Sequence, residues 1–351
     1  MSSTQIHHFE PLPGVNFPVS LAPMVGLSHG GLRALVRSYL PEDAVTFWPT
    51  EMLNSRRLVR EEIGFTEETV RSAGDDFLIP QLLANEERPI VESIARLESW
   101  GIAGVDINMG CPVSKALRHN YGVALMGDSD YAAAVVAMAV RTTRKPVSVK
   151  LRAGLQSDPD ALLRFVGKLE SAGAAFITLH PRMAGQKRRG FADWNIIRDV
   201  RTHLSIPVVG NGDVQTADDV FTMMEQTGCH QVMVGRALVA RPWLLWQVGE
   251  RLGFRPPQGR QGCAPQTPLE EGAEYGRSLD FLLCCLVAQF PAEIALRKFR
   301  FHVKTSHVWL KFGHALWAAV CAQKTPVGVG RALTKFFADP QEMAPTTALR
   351  E

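Results

Sequence analysis

The chain has 351 residues, too many for one minimal domain and enough for a large domain with a smaller companion. Apolar residues make up 46% and charged residues 21%, ordinary globular chemistry that excludes wholesale disorder. Net charge is only +3, but it is unevenly placed: between 293 and 335 eight Lys/Arg stand against one acid, so that stretch carries +7 and the remainder −4. A basic tail on an acidic body points to a polyanionic partner. The longest unbroken apolar stretch, 131–140, has half the length a bilayer crossing needs. No basic cluster followed by an apolar core opens the chain, so no secretory signal is expected. Six cysteines are scattered without a C-x-x-C pair, which is neither a disulfide framework nor a zinc pattern. These features lead us to expect a soluble cytoplasmic protein with no metal and no membrane contact.

Eight apolar runs bounded by turns follow in chain order: 18–24, 44–52, 77–83, 104–110, 146–154, 174–182, 207–213 and 231–238. Several are apolar on both faces, as strands of parallel sheets are. Their starts lie 24 to 42 residues apart, the spacing of βα units. Helical patterns fill the gaps at 30–39, 88–100, 131–144, 159–172, 194–204 and 217–227. Asp128, Asp158-Pro159 and Thr216 are start signals, and Gly101, Gly173 and Gly228 are stop signals. Together they predict an α/β fold, a (β/α)8 TIM barrel. A doubly wound open sheet is the runner-up, but the first strand is not followed by G-x-G-x-x-G. Residues 254–268 have the Pro/Gly/Gln-rich composition of a linker, and 270–289 and 292–323 read as helices. The expected organisation is a catalytic barrel over 1–253, a linker over 254–268 and a small basic all-α domain over 269–351.

Barrel chemistry sits where strands end. Here polar groups finish seven of eight otherwise apolar strands, among them Glu51, Gln81, Asn108, Lys150, His180, Asn211 and Arg236. Asn211-Gly212-Asp213 and Gly235-Arg236, at the seventh and eighth ends, suit the phosphate position of barrels. Lys150 at a barrel mouth needs a compensating anion, either a bound one or a carboxylate such as Asp213 or Glu51. Cys111, in Asn108-Met109-Gly110-Cys111-Pro112, is expected to face substrate as a nucleophile or a proton donor rather than to be packed. The other five cysteines read as packing residues.

The strings Leu21-Ala22-Pro23-Met24, Thr50-Glu51-Met52, Asp106-Ile107-Asn108-Met109-Gly110-Cys111-Pro112, Val149-Lys150-Leu151-Arg152, Ala192-Asp193-Trp194, Gly210-Asn211-Gly212-Asp213 and Val234-Gly235-Arg236 resemble those of the tRNA-dihydrouridine synthases. They occur in the family's order and span nearly the whole chain. The resemblance implies an FMN-binding barrel whose helical tail grips tRNA, and a reaction that reduces the C5=C6 bond of selected uridines to 5,6-dihydrouridine with electrons from NADPH. It implies that Pro23, Met24, Val25, Gln81, Lys150 and His180 surround the flavin. Asn211, Gly212, Asp213, Gly235 and Arg236 would hold its phosphate. Hydride would pass from flavin N5 to C6, and Cys111 would give the proton to C5. Asn108 and Arg182 would contact the target nucleotide.

The target base must leave its stack to reach a barrel mouth, so a gripping surface is required. The basic segment supplies one through Arg297, Lys298 and Arg300, and Arg188 and Arg189 extend it around the sixth loop. The aromatics Phe299, Phe301, Trp309, Phe312 and Trp317 read as bundle core rather than stacking platforms. Two alternatives stand beside this reading: an FMN barrel reducing a small pyrimidine or enone, and an RNA-binding barrel without catalysis. The basic tail speaks against the first, and Cys111 and Lys150 against the second. A monomer is expected, and the uridine reduced is left open.

Overall fold

A computed structural model describes residues 12–113 and 117–348. The outer edges of the two expected domains, 1–11 and 349–351, lie outside the described residues. Eight parallel strands form one sheet: β1 (Val19–Leu21), β2 (Trp48–Asn54), β3 (Leu78–Leu83), β4 (Val105–Met109), β5 (Val147–Arg152), β6 (Ile177–His180), β7 (Val208–Asn211) and β8 (Gln231–Val234). The order runs β1-β8-β7-β6-β5-β4-β3-β2, so each strand lies beside its sequence neighbours and β1 returns to β8. β1 and β2 are drawn together outside the ladder: Asn16 and Phe17 donate backbone N–H to the Val45 carbonyl, and the Thr46 hydroxyl donates to the Val19 carbonyl at 2.8 Å. The barrel is thereby nearly closed, as the strand spacing predicts.

The helices around it start where the local chemistry says. They are α1 (Gly30–Arg37), α2 (Ser55–Leu58), α3 (Glu87–Trp100), α4 (Ser129–Thr142), α5 (Pro159–Ser171), α6 (Trp194–His203) and α7 (Ala217–Thr227). Asp128, Asp158 and Thr216 each accept a backbone N–H of the first turn, satisfying a donor that the helix itself cannot. Gly228 ends α7 in the left-handed conformation at φ 66°.

Two features differ from the sequence reading. The eighth strand stops at Val234, and Arg236 opens a short helix α8 (Arg236–Ala240), followed by α9 (Leu244–Arg251). The apolar run 231–238 therefore crosses an element boundary, because both a buried strand and a buried helix turn are apolar. The expected helix 292–323 is also broken. After α10 (Pro268–Gln289) come α11 (Ala292–Ser306), a 3-10 turn at His307–Trp309, α12 (Gly313–Cys321) and α13 (Pro326–Phe336). The break buries Trp309 and lets Leu310 bridge to Met343. It also brings Gly313 so close to the His307 carbonyl that a Cβ there would lie 1.8 Å from the oxygen.

A single apolar cluster runs from the barrel through α1 into α10 and α11. Charges are buried with it. Arg33, fully buried, pairs with Asp75 at 2.7 Å and also donates to the Ser28 and Val70 carbonyls. Burial raises the Asp75 pKa, but the hydrogen bond and charge of Arg33 outweigh it and leave the group below its ordinary value. A depressed folded-state pKa stabilises the fold above the unfolded pKa and loses that contribution as pH falls through the folded one. Urea unfolding should therefore show stability dropping as pH goes below about 4. Asp75→Asn should lower stability at pH 7 by about 3 kcal/mol and flatten that drop.

Candidate active site at the barrel mouth

The carboxyl ends of the strands surround a cavity of about 690 Å³, inside the range of about 300–1,000 Å³ typical of small-molecule sites. Its floor and walls follow from the period of two along each strand. On β4 that period points Asp106 and Asn108 to one side, and on β5 Ser148, Lys150 and Arg152. The ladder pairs Gln81 with Asp106, Asp106 with Ser148, and Asn108 with Lys150.

These side chains form one connected network. Gln81 donates to Asp106 at 2.6 Å and accepts from Asn108 at 2.8 Å; Ser148 donates to Asp106 at 2.7 Å. The Asn108 carbonyl oxygen accepts the backbone N–H of Cys111 at 2.9 Å, so the network ends on the thiol's own backbone. Burial raises the Asp106 pKa to about 6 against the pull of Gln81, Ser148 and Lys150. Lys150 donates to Asn211 at 2.9 Å, not to Asp213 or Glu51. Burial brings its pKa down to about 8, with Asp106 resisting and Arg152 assisting.

Cys111 lines the cavity but is only 8% exposed, packed with Tyr121 beside Met52 and Leu83. The expectation of an open thiol is thus corrected: packing supplied by remote segments encloses it while leaving it on the cavity wall. Burial raises its pKa above the ordinary thiol value, against a backbone hydrogen bond from Val113 and the charge of Arg152. Burial therefore favours the thiol over the thiolate at this position. Gly122, at φ 62°, crosses directly beneath, where a Cβ would lie 2.6 Å from the Cys111 carbonyl oxygen.

The lining is cationic. Among the described residues Lys150, Arg152, Arg182, Arg188, Arg236 and Lys304 line the cavity against one carboxylate, Asp213. Burial pushes His180 down to about 2, helped by Lys150, Arg152, Arg182 and Arg236, so the ring is neutral. Its Nε2 lies 3.1 Å from Arg182 Nη1 and accepts from it. Burial lowers Arg236 to about 10, and Arg188 and Arg182 add to the shift. Gly212, at φ 122°, has no room for a side chain, because its Cβ would meet Ala192 at 2.9 Å and His180 at 3.0 Å.

A model of the dihydrouridine synthase family matches residues 20–304. The chain belongs to that family. A probable tRNA-dihydrouridine synthase of Mycobacterium tuberculosis (strain CDC 1551 / Oshkosh) is 32% identical over 317 residues, 88% of this chain and 79% of the relative. The tRNA-dihydrouridine synthase B of Vibrio cholerae serotype O1 is 30% identical over 236 residues, 65% of this chain and 70% of the relative. Among solved structures, a 2-naphthoyl-CoA reductase shares the fold at a TM-score of 0.51 and 9% identity, over 71% of this chain and 53% of that one.

For this member of the dihydrouridine synthase family, one cavity gathers Cys111, Asn108, Arg182 and all eleven residues read as flavin neighbours, from Pro23 to Arg236. Arg297, Lys298 and Arg300 are not among its lining residues. Lys298 is corrected to an internal group. It is 5% exposed, with its ammonium 3.1 Å from Glu67 and 3.7 Å from Glu51. Arg297 is exposed and paired with Glu67, and Arg300, half-buried, donates to the Gln323 carbonyl. Asn108 and Arg182 line the cavity, but their polar atoms are engaged by the protein. Arg182 is 1% exposed, makes two contacts of 2.8 Å to Asp213, and donates to the Gly190 carbonyl at 2.6 Å.

Sequence reasoning passed over Asp106 and Arg152 as individual groups, although a charge inside an apolar strand is itself the signal. It also passed over the roof. α11 lays Phe301, Lys304 and Thr305 over the opening, with Phe301 against Gly26. Phe299 and Trp309 are core, as read, whereas Phe301 and Phe312 are exposed.

Removing the Arg182 guanidinium takes a 2.8 Å ion-pair partner from the Asp213 carboxylate and frees the carbonyls of Arg189 and Gly190. Arg182→Ala should cost about 3–5 kcal/mol in urea unfolding. Limited trypsin digestion should show new cleavage at Lys187–Arg189.

Proposed function

We propose that this chain is an FMN-dependent tRNA-dihydrouridine synthase drawing electrons from NADPH. The observation that carries the reading is the meeting, in one cavity, of the Cys111 thiol and several cations, of which Lys150, Arg152 and Arg236 are desolvated. Cations outnumber carboxylates on the lining, so the cavity suits an anionic, phosphate-bearing ligand. FMN fits these residues. Pro23, Met24 and Val25 would wall one side, Gln81, Lys150 and His180 would face the ring, and Asn211, Gly212, Asp213, Gly235 and Arg236 would hold the phosphate end. Asp213 brings no bare negative charge there, because Arg182 neutralises it.

When bound, FMN supplies the hydride that uracil C6 accepts. The chain supplies the rest. Cys111 holds the proton destined for C5. Arg152 is close enough to favour the thiolate left behind, and its Nε donates to the Gly110 carbonyl at 3.0 Å, fixing the loop that carries the sulfur. Asn108 positions that loop through its bonds to the Gly110 and Cys111 N–H groups.

tRNA is the proposed substrate. Arg297 stays in the gripping surface, joined by the exposed Lys304, Lys324, Arg331 and Lys335, none of which has a carboxylate within ion-pair distance among the described residues. The division into a barrel to 253, a linker over 254–268 and a helical RNA-binding part beyond, a monomeric state and a cytoplasmic location belong to the same reading. Among the described residues no helix is long and apolar enough to cross a membrane. A small-molecule reductase has no use for the basic surface.

Cys111→Ala should retain bound flavin absorbance while tRNA uridine reduction slows by about 10²–10⁴-fold. Wild-type turnover in that variant would remove the thiol from the reaction. Since its pKa is raised, the wild-type rate should decline only above the ordinary thiol value of 9.0. Dihydrouridine content of tRNA from a deletion strain tests the substrate.

A further inference from the structure

Besides the roof, the loop between β6 and α6 forms a second rim of the same cavity. β6 stands four strands from β2 around the barrel, and Glu51 of β2 faces α11 through Lys298. The two rims carry the same kinds of side chain. On α11, Phe301 is 42% exposed and Lys304 is exposed. On the loop, Phe191 is 69% exposed, and Lys187, Arg188 and Arg189 are all exposed. Among the described residues none of these three cations has a carboxylate within ion-pair distance. Arg188 also reaches the cavity.

The loop backbone is held in place while Lys187, Arg188, Arg189 and Phe191 stay exposed. The buried Arg182 guanidinium binds the carbonyls of Arg189 and Gly190, Asp213 accepts the Ala192 N–H at 2.7 Å, and Gln186 accepts the Met183 N–H at 2.6 Å. Lys187 sits at φ 52°, ψ −93°, a backbone region that L-residues rarely occupy and that persists only where the surroundings impose it. A fixed backbone presenting three cations and an aromatic ring costs little ordering entropy on binding.

We propose that residues 187–191 are the second jaw of an RNA clamp. In it, Lys187 and Arg189 take backbone phosphates, and Phe191 stacks on a base flanking the one that enters the cavity. Cations beside an exposed aromatic ring suit a splayed nucleotide strand, since phosphate and base face are both satisfied. The proposal rests on tRNA being the substrate.

The test uses the full-length, flavin-loaded enzyme and tRNA binding measured across a salt series. Phe191→Ala should weaken binding about ten-fold at every salt concentration with an unchanged slope. The double variant Lys187→Gln/Arg189→Gln should reduce the slope of log affinity against log salt by about 1.5–2. Bound flavin absorbance should stay at the wild-type level in both, because neither variant touches the Arg182 anchor. Wild-type affinity and slope in both variants would overturn the clamp while leaving the proposed function standing if wild-type enzyme still reduces tRNA. Affinity lost only together with flavin would make the loop structural and also overturn it. Failure of the wild-type enzyme to bind tRNA would overturn both readings.

Discussion

The buried pair Arg182–Asp213 holds together what the rest of the mouth needs. It joins the ends of β6 and β7, it keeps a carboxylate from opposing an anion in a cationic cavity, and it fixes the backbone of the loop beyond β6. A lone carboxylate in that place would repel a phosphate, and a lone guanidinium would add to an already crowded set of cations. Pairing lets both remain inside a lining in which cations outnumber carboxylates.

The thiol side is organised by a chain of hydrogen bonds. The chain from Ser148 through Asp106, Gln81 and Asn108 ends on the backbone of Cys111, so strands β3, β4 and β5 together set where the sulfur sits. Such a network is stiff because each amide has its partners. Cys111 is thus placed by this network, with Arg152 beside it, on a lining that carries more cations than carboxylates.

The strands were readable because each is a short apolar run closed by turn residues, and the polar strand ends were readable because an apolar run has no packing reason to end on Lys150 or Asn211. Enclosure was not readable. Cys111 is covered by Tyr121, Met52 and Leu83, which come from three different segments, and no local pattern announces that meeting. Arg182 lies past the end of its strand and is buried because the following loop folds back onto it. Lys298 was partly legible. It stands three residues after Ala295 and four before His302, both buried, and so on the inner stripe of α11, where total charge says nothing about direction. The break after Ser306 escaped notice because helical composition continues through it while Gly313 and Trp309 redirect the chain.

The shared apolar cluster has a mechanical consequence. Leu279, Leu282 and Leu286 of α10 belong to the same core as Leu32 and Leu35 of α1, and Gly31 leaves just enough space for Leu286, whose Cδ2 would be 3.2 Å from a Cβ there. Swinging the helices away as a rigid body would wet that core, at roughly 25 cal/mol for each Å² of apolar surface exposed. Barrel and helices are thus expected to melt in one cooperative step, and traffic through the mouth falls to rotations of side chains such as Phe301, not to hinge opening.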